Sequence, residues 1–422
     1  MTAPPARPRF QLLFVCLLVI GAGNSMLLAV APPLVRQLRL PDSSIGWIFS
    51  LSALFWVIAS PFWGRLSDRI GRRPVAALGL AAYAVSMGLF GVVVLLGLNH
   101  VLSGAGLFIS LMMARAIFGA FGSASSPAAQ AYIADRTSPF ERTEQLASLT
   151  AAFALGQAFG PAICAALAAK LGLVFPIVLI AALAAAASYA IWRYLPESGP
   201  PARDTLPLAG GSAGGFIHSL KLARDRRLSA YLIYGFALSI VAGITVQVFG
   251  LFTMDRMRVQ GEAGAELAAA GFMVSALALL ATQMAVLPRV RLTSRELMSW
   301  GAGLIGLGIV IQIIAPSLGA LLVSQAVQGL GFGLARPGFS GGSSVAVRPE
   351  EQGSAAGLVV AANGAGFVFS PLLGVVVYER VDMNAPLFVA LALLGAMFAF
   401  ALMSRRLRNA IVAEAPSEPT TP

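Results

Sequence analysis

Runs of about 20 predominantly apolar residues, the length needed to cross a bilayer as helix, recur twelve times along this 422-residue chain. They fall near residues 10–34, 43–63, 74–96, 102–125, 145–168, 173–194, 229–252, 267–287, 297–315, 318–341, 353–377 and 385–404. Backbone amides have no water to bind in hydrocarbon, so each run is expected to close its own hydrogen bonds as a helix. Charged residues make up 11% of the chain, against roughly 25% in soluble domains, and the mean hydropathy is +0.81. The sequence therefore predicts an all-α integral membrane protein.

The net charge of +11 does not mark a nucleic-acid binder, because the basic residues are scattered through short loops rather than gathered into one domain. Their distribution instead orients the chain. With both termini cytoplasmic, the inner segments collect Arg65, Arg69, Arg72, Arg73, Arg136, Arg142, Arg224, Arg226, Arg227, Arg289, Arg291 and Arg295, while the outer loops hold few. That bias follows the positive-inside rule for an even number of spans. The first apolar run extends to Leu34, longer than the roughly 7–15 residues of a signal peptide, and is expected to remain as a helix. Cys16 and Cys164 both lie inside apolar runs, which gives no sign of a disulfide framework. Neither a metal-ligand cluster, a nucleophile motif nor a phosphate loop is present, so no cofactor, metal or enzyme chemistry is expected.

A Pro/Gly/Ser-rich stretch ending in Lys221-Leu-Ala-Arg224-Asp-Arg-Arg227 divides the spans six and six. The expected organisation is a half at 1–195, a flexible linker at 196–228, a second half at 229–405 and a disordered tail at 406–422. At an offset of 210, Gly119 meets Gly329, Pro127 meets Pro337, Pro139 meets Pro349, Gly156 meets Gly366 and Pro161 meets Pro371. Such a register implies two homologous six-helix halves. Transporters built this way hold substrate between the repeats near mid-membrane. Arg115 is the basic residue deepest in a span, at a cost of at least about 2.5–3.5 kcal/mol, and is by default a functional residue. On Arg115 the repeat places Gln325.

Between spans 2 and 3 the chain reads Gly64-Arg-Leu-Ser-Asp68-Arg69-Ile-Gly71-Arg72-Arg73-Pro74. This run resembles the loop signature of the major facilitator superfamily. Leu111-x-x-x-Arg115-x-x-x-Gly119-x-x-Gly122 resembles that family's helix-4 signature, and Asp135 followed by Arg142 its helix 4–5 loop. Gly156-Gln-Ala-Phe-Gly160-Pro161 is similar to the helix-5 antiporter motif, although Ala147 and Cys164 stand where that motif usually has glycine. Taken together, the motifs are most like the drug-proton antiporters and their tetracycline-efflux branch.

The resemblance implies two pseudo-symmetric six-helix halves that rock about a fixed site. Gly64, Asp68, Arg69, Gly71, Arg72, Asp135 and Arg142 would form a cytoplasmic gate latch, with Asp68 facing the N-terminus of helix 11. Gly156, Gly160 and Pro161 would permit close packing and a bend. Cavity-lining spans would bring Asn24, Gln247, Gln325 and Gln328 to the substrate, with Arg115 binding an anionic group or coupling to protonation. The expected activity is efflux of a small amphipathic molecule by a monomer in a bacterial inner membrane, in exchange for protons. A facilitative or proton-coupled metabolite importer is the alternative, and a non-transporting receptor on the same fold is a third. All 18 Asp and Glu lie in loops or at helix ends, so no carboxylate is placed to carry a proton through the middle of a span.

Overall fold

A computed structural model describes residues 10–197 except 138, 224–348 except 288, 290 and 291, 352–404, and 407. Most of the expected linker (196–228) and nearly all of the expected tail (406–422) lie outside the described residues. The described chain is helical: α1 (Phe10–Gln37), α2 (Ser43–Ile70), α3 (Arg72–Leu98), α4 (Gly104–Ile117), α5 (Ser125–Arg136), α6 (Pro139–Leu171) and α7 (Val174–Tyr194) in the first part. The second part has α8 (Arg226–Met257), α9 (Gly261–Ala281), α10 (Ser294–Ile314), α11 (Leu318–Val345), α12 (Gln352–Pro371), α13 (Val377–Arg380) and α14 (Ala385–Met403). Single π turns occupy Phe118–Gly122, Thr282–Val286 and Leu372–Val376.

Among the described residues, eleven helices are long and apolar enough to cross a membrane. The remaining expected span, 145–168, falls within α6. A helix of 28 residues is about 42 Å long, so α1, α2 and α11 exceed the ~30 Å hydrocarbon layer. Their surplus turns carry the polar termini.

Contacts group the chain into two compact units, Met1–Thr205 with Val246–Met273, and Leu206–Thr245 with Val274–Pro422. Lipid tails are as apolar as leucine, so burial of apolar surface cannot drive one helix onto another in the membrane, and close backbone approach at small residues takes that place. In the first unit, α1 and α6 pack in this way. A β-carbon on Gly156 would lie 2.2 Å from the Leu18 carbonyl oxygen, and one on Gly160 would lie 2.4 Å from that of Ala22. From the other side, one on Gly21 would lie 2.3 Å from the Phe153 oxygen. Gly156 and Gly160 are one turn apart on the same face, and the next residue, Pro161, is buried and lacks the amide that would continue the helical ladder.

The repeat seen in the sequence reappears as repeated contacts inside each unit. A β-carbon on Gly119 would stand 2.2 Å from the Ser52 oxygen and 3.0 Å from Phe55 Cβ; one on Gly329 would stand 2.2 Å from the Ser275 oxygen and 3.0 Å from Ala278 Cβ. Gly79 abuts Ser125 as Gly301 abuts Ala335, and Ala335 is the residue 210 positions after Ser125. Gly156 meets α1 at Leu18 and Ala22, while Gly366 meets α8 at Phe236 and Ile240. At Gly119 and Gly329, and again at Gly156 and Gly366, each six-helix half thus uses the same glycine at the same crossing.

Substituting Gly156→Val should therefore separate α1 from α6. Over-packing of this kind costs roughly 1–3 kcal/mol or more, read as a lowered thermal midpoint of the purified protein. Gly88→Ala, at an α3 position where an added β-carbon meets nothing within 4 Å, should leave the midpoint unchanged or slightly raised.

Candidate functional site

The centre of the first unit is built around Arg115, which is 2% exposed near the end of α4. Directly after it the helix opens into the π turn Phe118–Gly122. Such turns leave carbonyls out of register and concentrate at functional sites. Here neighbouring side chains satisfy them. Ser86 Oγ donates to the Ala114 oxygen at 2.7 Å, Ser52 Oγ to the Arg115 oxygen at 3.1 Å, and Trp63 Nε1 to the Ala120 oxygen at 2.6 Å. Two neighbouring helices, α2 and α3, therefore fix the backbone that carries the arginine.

The guanidinium itself is less fully served. Its Nη2 donates to Asn24 Oδ1, while Nε and Nη1 are buried without a hydrogen-bond partner. No ion pair of Arg115 occurs among the described residues. Aromatic faces take the place of a carboxylate: Phe118 lies 4.4 Å and Phe49 5.5 Å from the guanidinium carbon. Cation–π attraction offsets part of the desolvation cost. Tyr83, fully buried and 4.6 Å from the Phe118 ring centroid, has a hydroxyl that also lacks a partner. A buried cation with open donors beside an open hydroxyl favours an acceptor or an anion, because unmet buried donors are costly.

The structure thus joins Arg115 to Asn24, two of the residues expected at the substrate. Gln328 and Gln325 share α11 in the second unit; Gln328 Nε2 donates to Gln312 Oε1 at 3.0 Å, and Gln325 Nε2 is unpartnered. Gln247 is buried, with its Oε1 unpartnered. Tyr83 and Gln312 were not marked by the sequence, since a lone aromatic or amide in an apolar run carries no distinguishing pattern.

The charged loop between α2 and α3 forms an ordered cluster. Arg72, 5% exposed, reaches Asp68 at 2.5 Å, Asp135 at 2.9 Å and Ser67 Oγ at 2.6 Å. Asp68 and Asp135 come from the ends of α2 and α5, so one guanidinium ties three helices through charge-assisted bonds. Gly71 makes the turn at φ +104°, and a β-carbon there would lie 2.8 Å from Glu197 Oε1. Glu197 in turn accepts from the Arg73 amide at 3.3 Å and pairs with the Arg73 guanidinium at 3.4 Å. Gly64 sits across from Pro127, Arg69 is exposed, and the Arg142 side chain lies outside the described residues.

At the opposite end of α2 there is a second ionic cluster. Arg36 grips Asp42 with Nε and Nη2 at 3.1 and 2.7 Å, and Asp255 with Nη1 and Nη2 at 2.5 and 2.9 Å. The ends of α1 and α8 and the start of α2 are thereby clasped. Asp255 was not singled out by the sequence, where it reads as an ordinary loop acid.

A bundle of apolar helices in two repeated sets, with a buried arginine and charged clasps at the helix ends, has the build of a membrane transporter. The profile of the Major Facilitator Superfamily matches residues 13–291 and 289–421, and the chain belongs to that family, whose members are transporters rather than enzymes. It is 28% identical to the class D tetracycline resistance protein of Salmonella ordonez, over 92% of this chain and 95% of that one. It is 27% identical to multidrug resistance protein 1 of Bacillus subtilis, over 90% of both. Among solved structures, the nucleoside transporter NupG superposes with a TM-score of 0.70 at 16% identity, covering 95% of this chain and 97% of that one.

Arg72→Gln should loosen the loop cluster and leave Asp68 and Asp135 facing one another. Breaking a buried pair costs about 3–5 kcal/mol and an exposed one far less. With Asp68 half-exposed, a fall in thermal midpoint larger than that of Arg69→Gln is expected.

Proposed function

We propose that this transporter exports a small amphipathic compound across a bacterial inner membrane in exchange for protons, by rocking of the halves 1–195 and 229–405. The observation that carries this reading is the Arg115 site, a buried cation with two unpartnered nitrogens beside an unpartnered tyrosine hydroxyl and aromatic walls. Such a site matches a ligand with one acceptor-rich end and an apolar ring system. Asn24 positions the arginine, and Gln247, Gln325 and Gln328 supply further neutral polar contacts as the cavity opens. The Arg72–Asp68–Asp135 cluster serves as the cytoplasmic latch, with Arg69 and Arg142 adding charge to it. Gly156, Gly160 and Pro161 hold α6 against α1 through the cycle. Export is supported by the helix-5 motif and by relatives named for tetracycline and multidrug resistance.

A second reading is facilitative or proton-coupled import of a metabolite, and its facilitative form draws on the lack of any carboxylate in the middle of a span. Reconstitution in proteoliposomes separates the two. Tetracyclines and amphipathic dyes should move against their gradient only when a pH gradient is imposed; downhill flux indifferent to pH would establish the facilitative reading.

Arg115→Gln should weaken substrate binding by roughly tenfold to a hundredfold, the value of a hydrogen bond to a charged group. Tyr83→Phe should weaken it less. Unchanged affinity and turnover in Arg115→Gln would remove that residue from the site.

A further inference from the structure

The second unit contains a cavity of about 470 Å³ between the start of α10 and the end of α14, lined by Thr293, Arg295, Glu296, Ser299, Trp300, Phe398 and Leu402. Its two ends differ in chemistry. Toward the bilayer, Trp300 is 62% exposed, and Phe398 and Leu402 are about two-fifths exposed. Indole rings favour the border between headgroups and hydrocarbon, with the ring in lipid and the N–H in the polar layer. Toward the loop, Ser299 is 7% exposed and its hydroxyl has no hydrogen-bond partner, although a helical serine ordinarily finds the carbonyl one turn back. Ser299 is one of the residues that line the cavity.

The positive end of α10 opens on the same space. Thr293 and Glu296 form a capping box: Glu296 Oε2 accepts from the Thr293 amide at 2.9 Å, and the Glu296 amide donates to Thr293 Oγ1 at 3.3 Å. That carboxylate is thus occupied with the helix start. Arg295 donates from Nε to the Ala401 oxygen at 2.8 Å and from Nη2 to the Leu402 oxygen, which fixes its charge at the cavity wall. In the sequence Arg289 and Arg291 precede it, so three arginines and one glutamate fall within eight residues. A basic cluster beside a membrane span attracts anionic lipid, by about 1 kcal/mol per residue near the surface.

We infer that this cavity is a binding site for an anionic phospholipid of the leaflet on the Arg289–Arg295 side, which positive-inside orientation makes the cytoplasmic one. The headgroup phosphate accepts from Ser299 Oγ and lies in the field of Arg295 and the α10 N-terminus. The acyl chains run along Trp300, Phe398 and Leu402. Nothing in the transport reading assigns this site, and its walls are formed by α10, its preceding loop and α14.

The test is native mass spectrometry of the full chain in detergent, titrated with phosphatidylglycerol, phosphatidylethanolamine, phosphatidylcholine or inorganic phosphate. Phosphatidylglycerol should bind at least about fivefold more tightly than the other two lipids, the factor for one surface charge, and inorganic phosphate should not compete at equal concentration. Ser299→Val and Trp300→Ala, neither of which touches the Arg295 bonds to α14, should each weaken phosphatidylglycerol binding severalfold while the protein stays monodisperse. Arg295→Gln should remove the preference for phosphatidylglycerol, with a lowered thermal midpoint because α14 loses its two carbonyl contacts. Equal binding of all three lipids, competition by free phosphate, or undiminished phosphatidylglycerol affinity in both Ser299→Val and Trp300→Ala would overturn the assignment.

Discussion

Hydrocarbon removes the force that assembles soluble proteins, and this chain is organised by what remains. Once every span has closed its own backbone ladder, helices are told apart by where they can approach and where a polar group demands a partner. Glycine supplies the approach. Gly156 and Gly160 leave the α1 carbonyls of Leu18 and Ala22 with no room for any β-carbon, and Gly119 does the same at Ser52. Because contact at backbone distance fixes both register and rotation, the rest of each unit is committed once these crossings form. The second half repeats the Gly119 and Gly156 crossings at Gly329 and Gly366.

Against that shared frame, the two halves differ in their polar content. Arg115 corresponds to Gln325 and Phe118 to Gln328, and where Ser86 bonds the Ala114 carbonyl, Gly308 abuts the carbonyl of Ser324, 210 positions after Ala114. One copy therefore carries a buried positive charge with open donors, and the other a pair of amides, Gln328 on Gln312. Duplication provided the scaffold. The buried charge lies in the first copy, where the π turn, Ser52, Ser86 and Trp63 hold the arginine's backbone in place.

Much of this was legible in the sequence, because hydropathy and charge are properties of single residues and short windows. The spans and the charged loop come from such signals, the repeat from glycines and prolines held in register, and the pairing of Arg72 with Asp135 from the resemblance to a known family. The partnership of Arg115 with Asn24 was foreseen only as shared membership of a cavity. Tyr83 and Phe118 were invisible as site residues, since an aromatic in an apolar run has the same local signature whether it faces lipid, core or a guanidinium. Asp255 was missed for a related reason. Its meaning depends on Arg36, 219 positions away, and no window spans that distance.

The distribution of charge also constrains how any proton coupling can work. A carboxylate in mid-span would exchange protons at the substrate, but every acid here lies in a loop or toward a helix end. Arg36 with Asp42 and Asp255 at one end, and Arg72 with Asp68 and Asp135 at the other, each set two carboxylates on one guanidinium. In each cluster one guanidinium holds two carboxylates from different helix ends, so losing either bond would release a helix end. Coupling through the clasps would then act on the rate of opening, whereas coupling through Arg115 would act on substrate affinity. The pH dependence of affinity and of turnover, measured separately, tells these apart: a change in turnover alone places the proton at the helix ends.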